Sequence, residues 1–157
     1  LSSNLWVNPL IFKIISVFFA VGVAQLIRRK SLFKVDRDIL ILGGFYLVVM
    51  AVFLLFEVFA VNYRPILIDG ALEASYPSST TMLVMCVMPT AAMQLGTRIK
   101  GNMIRRCVII VITTFTVLMV TARLISGVHW ISDIIGGALF SMGAVKIYGY
   151  FFSLTEN

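Results

Sequence analysis

Five long apolar stretches separated by short polar segments dominate the chain. They cover residues 5–27, 39–61, 81–96, 107–125 and 131–152. A bilayer core of roughly 30 Å requires about 20 predominantly apolar residues per helix, and each stretch is close to that length. The pattern therefore predicts an all-α, polytopic bundle of transmembrane helices with five spans. This bundle is expected to form a single domain over residues 1–157, which leaves no room for a soluble domain.

Composition agrees with this pattern. Hydrophobic residues make up 60% of the chain and charged residues only 13%, which excludes an ordinary soluble domain. The first stretch lacks a basic segment before it and is too long for the core of a signal peptide, so we interpret it as a retained helix. Residue 1 is Leu, so a further helix could lie upstream.

The net charge of +6 could indicate nucleic-acid binding, but its distribution follows the membrane instead. Nine of the thirteen basic residues fall in two short loops. They are Arg28, Arg29, Lys30, Lys34 and Arg37 in the first loop, and Arg98, Lys100, Arg105 and Arg106 in the second. The positive-inside rule places both loops in the cytoplasm, so residues 62–80 and 126–132 must face outward. We therefore expect a multi-pass protein of the cell membrane and no nucleic-acid partner.

The outward segments contain ionisable residues, which are costly near a membrane and tend to be functional. His129 and Asp133 are four residues apart at the start of the last stretch, so they project from one helix face. The carboxylate can fix the tautomer of the imidazole and leave the other nitrogen free as a nucleophile or base. A water-exposed pair that caps the helix is the simpler interpretation.

Two arginines and a helix start add groups that bind anions. Arg123 precedes a Ser-Gly turn that can return it to His129, and Arg64 lies in the other outward loop. A guanidinium matches the oxygens of a phosphate, although such an arginine often only reaches for the headgroups. Ser78 and Ser79 precede the third stretch, where they can cap a helix whose N-terminus also attracts anions. Together the three segments predict a site for one phosphate.

These residues resemble the type 2 phosphatidic acid phosphatases, a family of membrane helix bundles that usually has six spans. The family's third motif is Ser-Arg, five residues, His, three residues, Asp. Here Ala122 and Arg123 are followed at the same spacing by His129 and Asp133. The second motif is Pro-Ser-Gly-His, and residues 77–80 read Pro-Ser-Ser-Thr. The first is Lys, six residues, Arg-Pro; residues 64–65 read Arg-Pro, but Glu57 replaces the lysine.

The resemblance implies specific roles. His129 would attack phosphorus to give a phosphohistidine, and Asp133 would orient it. The substrate phosphate would be held by Arg64, Ser78, Ser79 and Arg123. No metal or other cofactor is implied. Thr80 occupies the position of the histidine that protonates the leaving oxygen, and a threonine hydroxyl cannot do this at neutral pH, so we expect impaired turnover.

Several alternatives follow from these departures. Thr80 could be a laboratory substitution of a native histidine, or the result of drift toward a noncatalytic relative. Glu57 repels phosphate unless it is protonated or paired, and Lys13 in the first stretch is a candidate partner. The expected substrate is a phosphorylated membrane lipid: polyprenyl pyrophosphate, phosphatidic acid or phosphatidylglycerophosphate. The alternative functions are a noncatalytic lipid-phosphate binder or transport accessory, and a transporter subunit. The oligomeric state stays open.

Overall fold

A computed structural model describes residues 4–31, 35–67, 70 and 72–155, so Lys34 of the first basic loop lies outside the described residues. The described residues form five helices, which confirms the all-α prediction for that part of the chain. The helices are α1 (Asn4–Arg29), α2 (Arg37–Val58), α3 (Ser79–Arg98), α4 (Asn102–Ile125) and α5 (Ile131–Ser153). Helix α4 begins before its apolar stretch because charged residues can extend a helix beyond the bilayer without breaking its backbone hydrogen bonds.

Helix α3 is the centre of the bundle. It packs against each of the other four helices, and eleven of its 20 residues are buried. In α4 only Arg123 is buried among the residues that the structure describes. The outer helices therefore present apolar side chains outward, whereas α3 is enclosed by protein.

Only four helices among the described residues are long and apolar enough to cross a membrane, and α3 is not one of them. The prediction of five spans is thus confirmed for α1, α2, α4 and α5. Helix α3 can be more polar because its polar groups find partners inside the bundle. Thr90 Oγ1 donates to the carbonyl of Cys86 at 2.8 Å, and Gln94 Nε2 donates to the hydroxyl of Tyr148 at 3.0 Å.

The two basic loops lie at one end of the bundle, as the sequence predicts. Arg98 at the end of α3 forms a 2.6 Å ion pair with Asp38 at the start of α2. Gln94 also donates to the backbone carbonyl of Asp38 at 3.1 Å. The start of α3 and the start of α5 meet at the opposite end, where Ser78 N–H donates to the carbonyl of Asp133 at 3.0 Å.

The pairing of Lys13 with Glu57 is wrong. Glu57 lines a pocket at the end of the bundle where α3 begins, and Lys13 lines a separate apolar groove between α1, α3 and α4. The two side chains line different surfaces of the bundle, so Lys13 does not neutralise the charge of Glu57.

Candidate functional site: an imidazole between two arginines

A short loop carries Arg64 into the site. The loop closes on itself because Arg64 N–H donates to the carbonyl of Glu73 at 3.1 Å, and Ser75 N–H donates to the carbonyl of Asn62 at 2.8 Å. The side chains pair as well, since Arg64 Nε lies 3.1 Å from Oε2 of Glu73. The Arg64 side chain is 7% exposed, whereas that of Glu73 is 44% exposed, so the carboxylate holds the guanidinium inward from the rim.

Both arginines meet the histidine. Arg123 Nη2 lies 3.0 Å from His129 Nε2, and Arg64 Nη1 lies 3.5 Å from the same atom. The loop reversal after α4 therefore brings Arg123 beside the imidazole, as the sequence spacing predicts. The imidazole side chain is 1% exposed. Two positive charges thus face one buried nitrogen, which is an arrangement suited to an anion.

Asp133 anchors the opposite side of the ring. Its Oδ2 lies 3.6 Å from Nδ1 of His129 and accepts the backbone N–H of Trp130 at 3.0 Å. Its Oδ1 accepts from Nδ2 of Asn62 at 3.5 Å. Asp133 is completely buried, so the charge is held by these donors and by the neighbouring imidazole rather than by water.

The hydrogen bonds define the protonation state of the ring. A guanidinium can only donate, so Nε2 of His129 accepts and the ring proton belongs on Nδ1, on the side of Asp133. Burial lowers the pKa of His129 from 6.5 to about 4, with further lowering by Arg123 and then Arg64. The Asp133 carboxylate and the Ser75 backbone act in the opposite direction on this pKa. At neutral pH the imidazole is uncharged and its Nε2 lone pair is directed at the arginines.

The start of α3 lies beside this cluster. Ser79 lines one pocket together with Arg64 and His129. The first N–H groups of an α-helix have no acceptor within the helix, so those of α3 are free to bind an anion. The other two residues of this motif are placed differently. Ser78 is fully buried, and its Oγ accepts a 3.1 Å hydrogen bond from Thr81. Thr80 is 3% exposed and does not line the pocket.

The pocket, here called the site pocket, is formed by the end of α2, the loop after it, the start of α3 and the imidazole. Its polar lining residues are Glu57, Arg64, Ser75, Tyr76, Ser79 and His129. Among the described residues, no group of three or more His, Cys, Asp or Glu side chains could hold a metal ion.

The sequence profile of the PAP2 superfamily matches residues 58–155, which is more than half of the chain. The chain belongs to the PAP2 superfamily. The matched region contains the loop of Arg64, the start of α3 and the segment from Arg123 to Asp133, so the family profile covers nearly all of the site. Glu57 is the one polar pocket residue that precedes it.

A solved structure shares the PAP2 fold. This chain is similar to the crystal structure of the first transmembrane PAP2 type phosphatidylglycerolphosphate phosphatase from Bacillus subtilis, with a TM-score of 0.54 and 22% identity. The similarity covers 97% of this chain and 76% of the Bacillus chain. With its apolar helices, this identifies a multi-pass membrane protein. No curated protein sequence matches the chain.

Two polar residues of this PAP2 site, Ser75 and Asn62, were not predicted from the sequence. Ser75 is 2% exposed, lines the site pocket and has an Oγ without a hydrogen-bond partner in the described structure. Asn62 bonds to Asp133, and Glu73 pairs with Arg64. Ser75 lies two residues before the second motif, which was the available signal. Asn62 carries none, because only the closed loop brings it to the site. Glu73 is one of the ionisable residues of the outward segments, but the sequence did not identify Arg64 as its partner.

Two glycines of α5 allow the close approach on which the site depends. A β-carbon on Gly137 would lie 3.1 Å from the backbone oxygen of Ser78, and one on Gly136 would lie 2.6 Å from Cζ of Tyr76. Both glycines are therefore helix-packing positions. Their lack of a side chain lets the start of α3 rest on α5 beside His129.

Proposed function

We propose that this protein removes phosphate from a phosphorylated membrane lipid by way of a phosphohistidine at His129. The observation that carries the proposal is the neutral imidazole whose Nε2 lies 3.0 Å from Arg123 and 3.5 Å from Arg64. An uncharged nitrogen has the lone pair that a nucleophile needs, and two guanidinium groups provide the charge that a phosphoryl group needs.

In the reaction, phosphoryl oxygens replace Nε2 as the acceptors of the two arginines. Nε2 of His129 attacks phosphorus and the bond from phosphorus to the lipid oxygen breaks. Asp133 stabilises the cationic ring that results, because its carboxylate faces Nδ1. Water then attacks the phosphohistidine, inorganic phosphate leaves and the imidazole returns to its neutral form.

The helix start and nearby hydroxyls complete the phosphate site in this proposal. Ser79 and Ser75 both line the site pocket, and Ser75 Oγ is available for a phosphoryl oxygen. The backbone N–H groups at the start of α3 add the positive end of a helix dipole. Ser78 acts structurally instead, since its N–H and Oγ are engaged with Asp133 and Thr81.

The distribution of charge supports an orientation. The basic loops lie at the end marked by the pair of Arg98 with Asp38, and the site lies at the other end. We place the basic end in the cytoplasm and the site at the extracytoplasmic face of the cell membrane. We also propose that α3 crosses the membrane as a fifth span, shielded from lipid by the other helices.

A lipid substrate fits the position of the pocket at the end of apolar helices. Phe53 and Phe56 of α2 line it beside the charged groups, so a headgroup and the first part of a chain find matching surfaces. Because the similar Bacillus protein is a phosphatidylglycerolphosphate phosphatase, phosphatidylglycerophosphate is the first substrate to test. Polyprenyl pyrophosphate and phosphatidic acid are the other two substrates to test.

The position of Thr80 favours a second candidate, a noncatalytic lipid-phosphate binder. The Thr80 hydroxyl is buried away from the site pocket and cannot protonate a leaving group there. Such a protein would use the same arginines to hold the headgroup, and it would not form a phosphohistidine.

One experiment separates the two candidates. Purified protein in detergent is incubated with each of the three lipid phosphates, and both released phosphate and acid-labile protein phosphate are measured. The phosphatase releases phosphate and is labelled, and His129→Ala abolishes both signals. Binding of a lipid phosphate without release or labelling would favour the binder. Release that survives in His129→Ala would overturn the proposed mechanism.

A further inference from the structure

Glu57 is the one carboxylate among the described residues that line the site pocket, and nothing in the fold explains its place there. It lies in the last turn of α2, where a negative charge opposes the helix dipole. Its side chain is exposed and takes part in none of the ion pairs found in the described structure. A stabilising role in folding therefore does not account for it.

The reaction proposed above lacks one component. Cleavage of a lipid phosphate expels an alkoxide or a phosphate oxygen, and an alkoxide must be protonated as it leaves. Thr80 is outside the pocket, and hydroxyl groups such as those of Ser75 and Tyr76 are weak acids at neutral pH. Of the pocket groups other than His129, only a carboxylic acid can deliver a proton readily.

We propose that Glu57 is the proton donor to the leaving oxygen, an inference that rests on the proposed phosphatase function. Glu57 lines the same pocket as Arg64 and His129, so a phosphorylated headgroup bound there lies beside both the nucleophile and this carboxyl group. The absence of a histidine at position 80 then does not prevent protonation of the leaving oxygen, because the proton comes from α2 instead of α3.

Nε2 of His129 forms a bond to phosphorus while the bond from phosphorus to the lipid oxygen breaks. The carboxyl proton of Glu57 passes to that oxygen, so the lipid leaves with a hydroxyl group instead of an alkoxide. In the second half, the Glu57 carboxylate takes a proton from the water that attacks the phosphohistidine, and inorganic phosphate leaves.

The test compares two substrates that differ in their need for a proton. A long-chain monoalkyl phosphate has a poor leaving group, whereas p-nitrophenyl phosphate expels a stable anion. Glu57→Gln is expected to lower kcat for the alkyl phosphate by roughly 10²- to 10⁴-fold and that for p-nitrophenyl phosphate by less than about tenfold. Glu57→Asp retains an acid and should lie between wild type and Glu57→Gln for the alkyl substrate.

Controls separate this inference from the function on which it rests. Asp38→Asn changes a carboxylate at the opposite end of the same helix and should leave both rates within about twofold, since a partly exposed ion pair contributes little. His129→Ala should abolish both activities. Equal losses on the two substrates, or no loss on either, in Glu57→Gln would overturn the proton-donor role while the phosphatase stands. If wild type and His129→Ala are equally inactive on both substrates, the proposed function itself fails.

Discussion

Arg123 Nη2 lies 3.0 Å from Nε2 of His129, so the nitrogen that would bond to phosphorus already accepts a hydrogen bond from a fixed positive charge. The guanidinium therefore keeps the imidazole neutral and correctly oriented before substrate arrives. It must then exchange this acceptor for phosphoryl oxygens. One side chain thus sets both the resting state and the binding of the substrate.

Replacing Arg123 with lysine should reduce activity although the positive charge remains. A lysine ammonium cannot present the planar fork that holds two oxygens, and the loss of one such donor group costs roughly 10²- to 10³-fold in rate. The measurement is kcat/KM for phosphate release from a lipid phosphate. Arg105→Lys, at the other end of α4, is the matched control and should retain wild-type activity. Wild-type activity in Arg123→Lys would exclude a fork-like role.

The protonation of His129 can be followed directly, because it is the single histidine of the chain. Burial and the two arginines lower its pKa from 6.5 to about 4, so the ring should stay neutral down to about pH 4. An NMR titration of histidine-labelled protein in detergent measures this midpoint. In Arg64→Gln one repelling charge is removed and the midpoint should rise. A wild-type midpoint near 6.5, or a lower midpoint in the variant, would contradict the arrangement.

Ser75→Ala tests the residue that the sequence did not single out. The hydroxyl has no hydrogen-bond partner in the described structure, so its removal should leave the melting temperature almost unchanged. If it binds a phosphoryl oxygen, KM should rise roughly 2- to 10-fold, which corresponds to about 0.5–1.5 kcal/mol for one hydrogen bond. Ser153→Ala at the far end of α5 serves as the control. An unchanged KM with a lower melting temperature would assign Ser75 to folding instead.

Gly136→Ala tests the approach of α3 to α5. The added methyl group would lie 2.6 Å from Cζ of Tyr76, so the ring must move and the site pocket must change shape. We expect a loss of stability of about 1–3 kcal/mol and reduced phosphate release, read from thermal unfolding in detergent and from activity. Gly143→Ala on the same helix meets no atom within 4 Å and should behave as wild type. Equal behaviour of the two variants would show that the ring does not require this space.

The sequence by itself determined the apolar helices and the spacing of the site. Stretches of apolar residues specify helices because a bilayer leaves no other partner for backbone groups. The spacing from Arg123 to His129 and Asp133 brings these three together through local geometry, since a short turn followed by one helical turn allows few arrangements. Arg64 also lies beside the imidazole. The sequence had placed Arg64 and His129 at the same end of the bundle, because the basic loops mark the opposite end.

Only the tertiary structure decided which polar residues near those motifs serve the site. Thr80 and Ser78 belong to the motif but turn into the bundle, whereas Ser75, Asn62 and Glu73 reach the site through a closed loop. Likewise the composition of α3 is too polar for this helix to be recognised as a membrane span. It can be more polar than the other helices because all four of them pack around it. The physical reason is the same in each case: a helix or loop sequence fixes the order of its side chains, but their partners come from distant segments, and only packing brings those segments into contact.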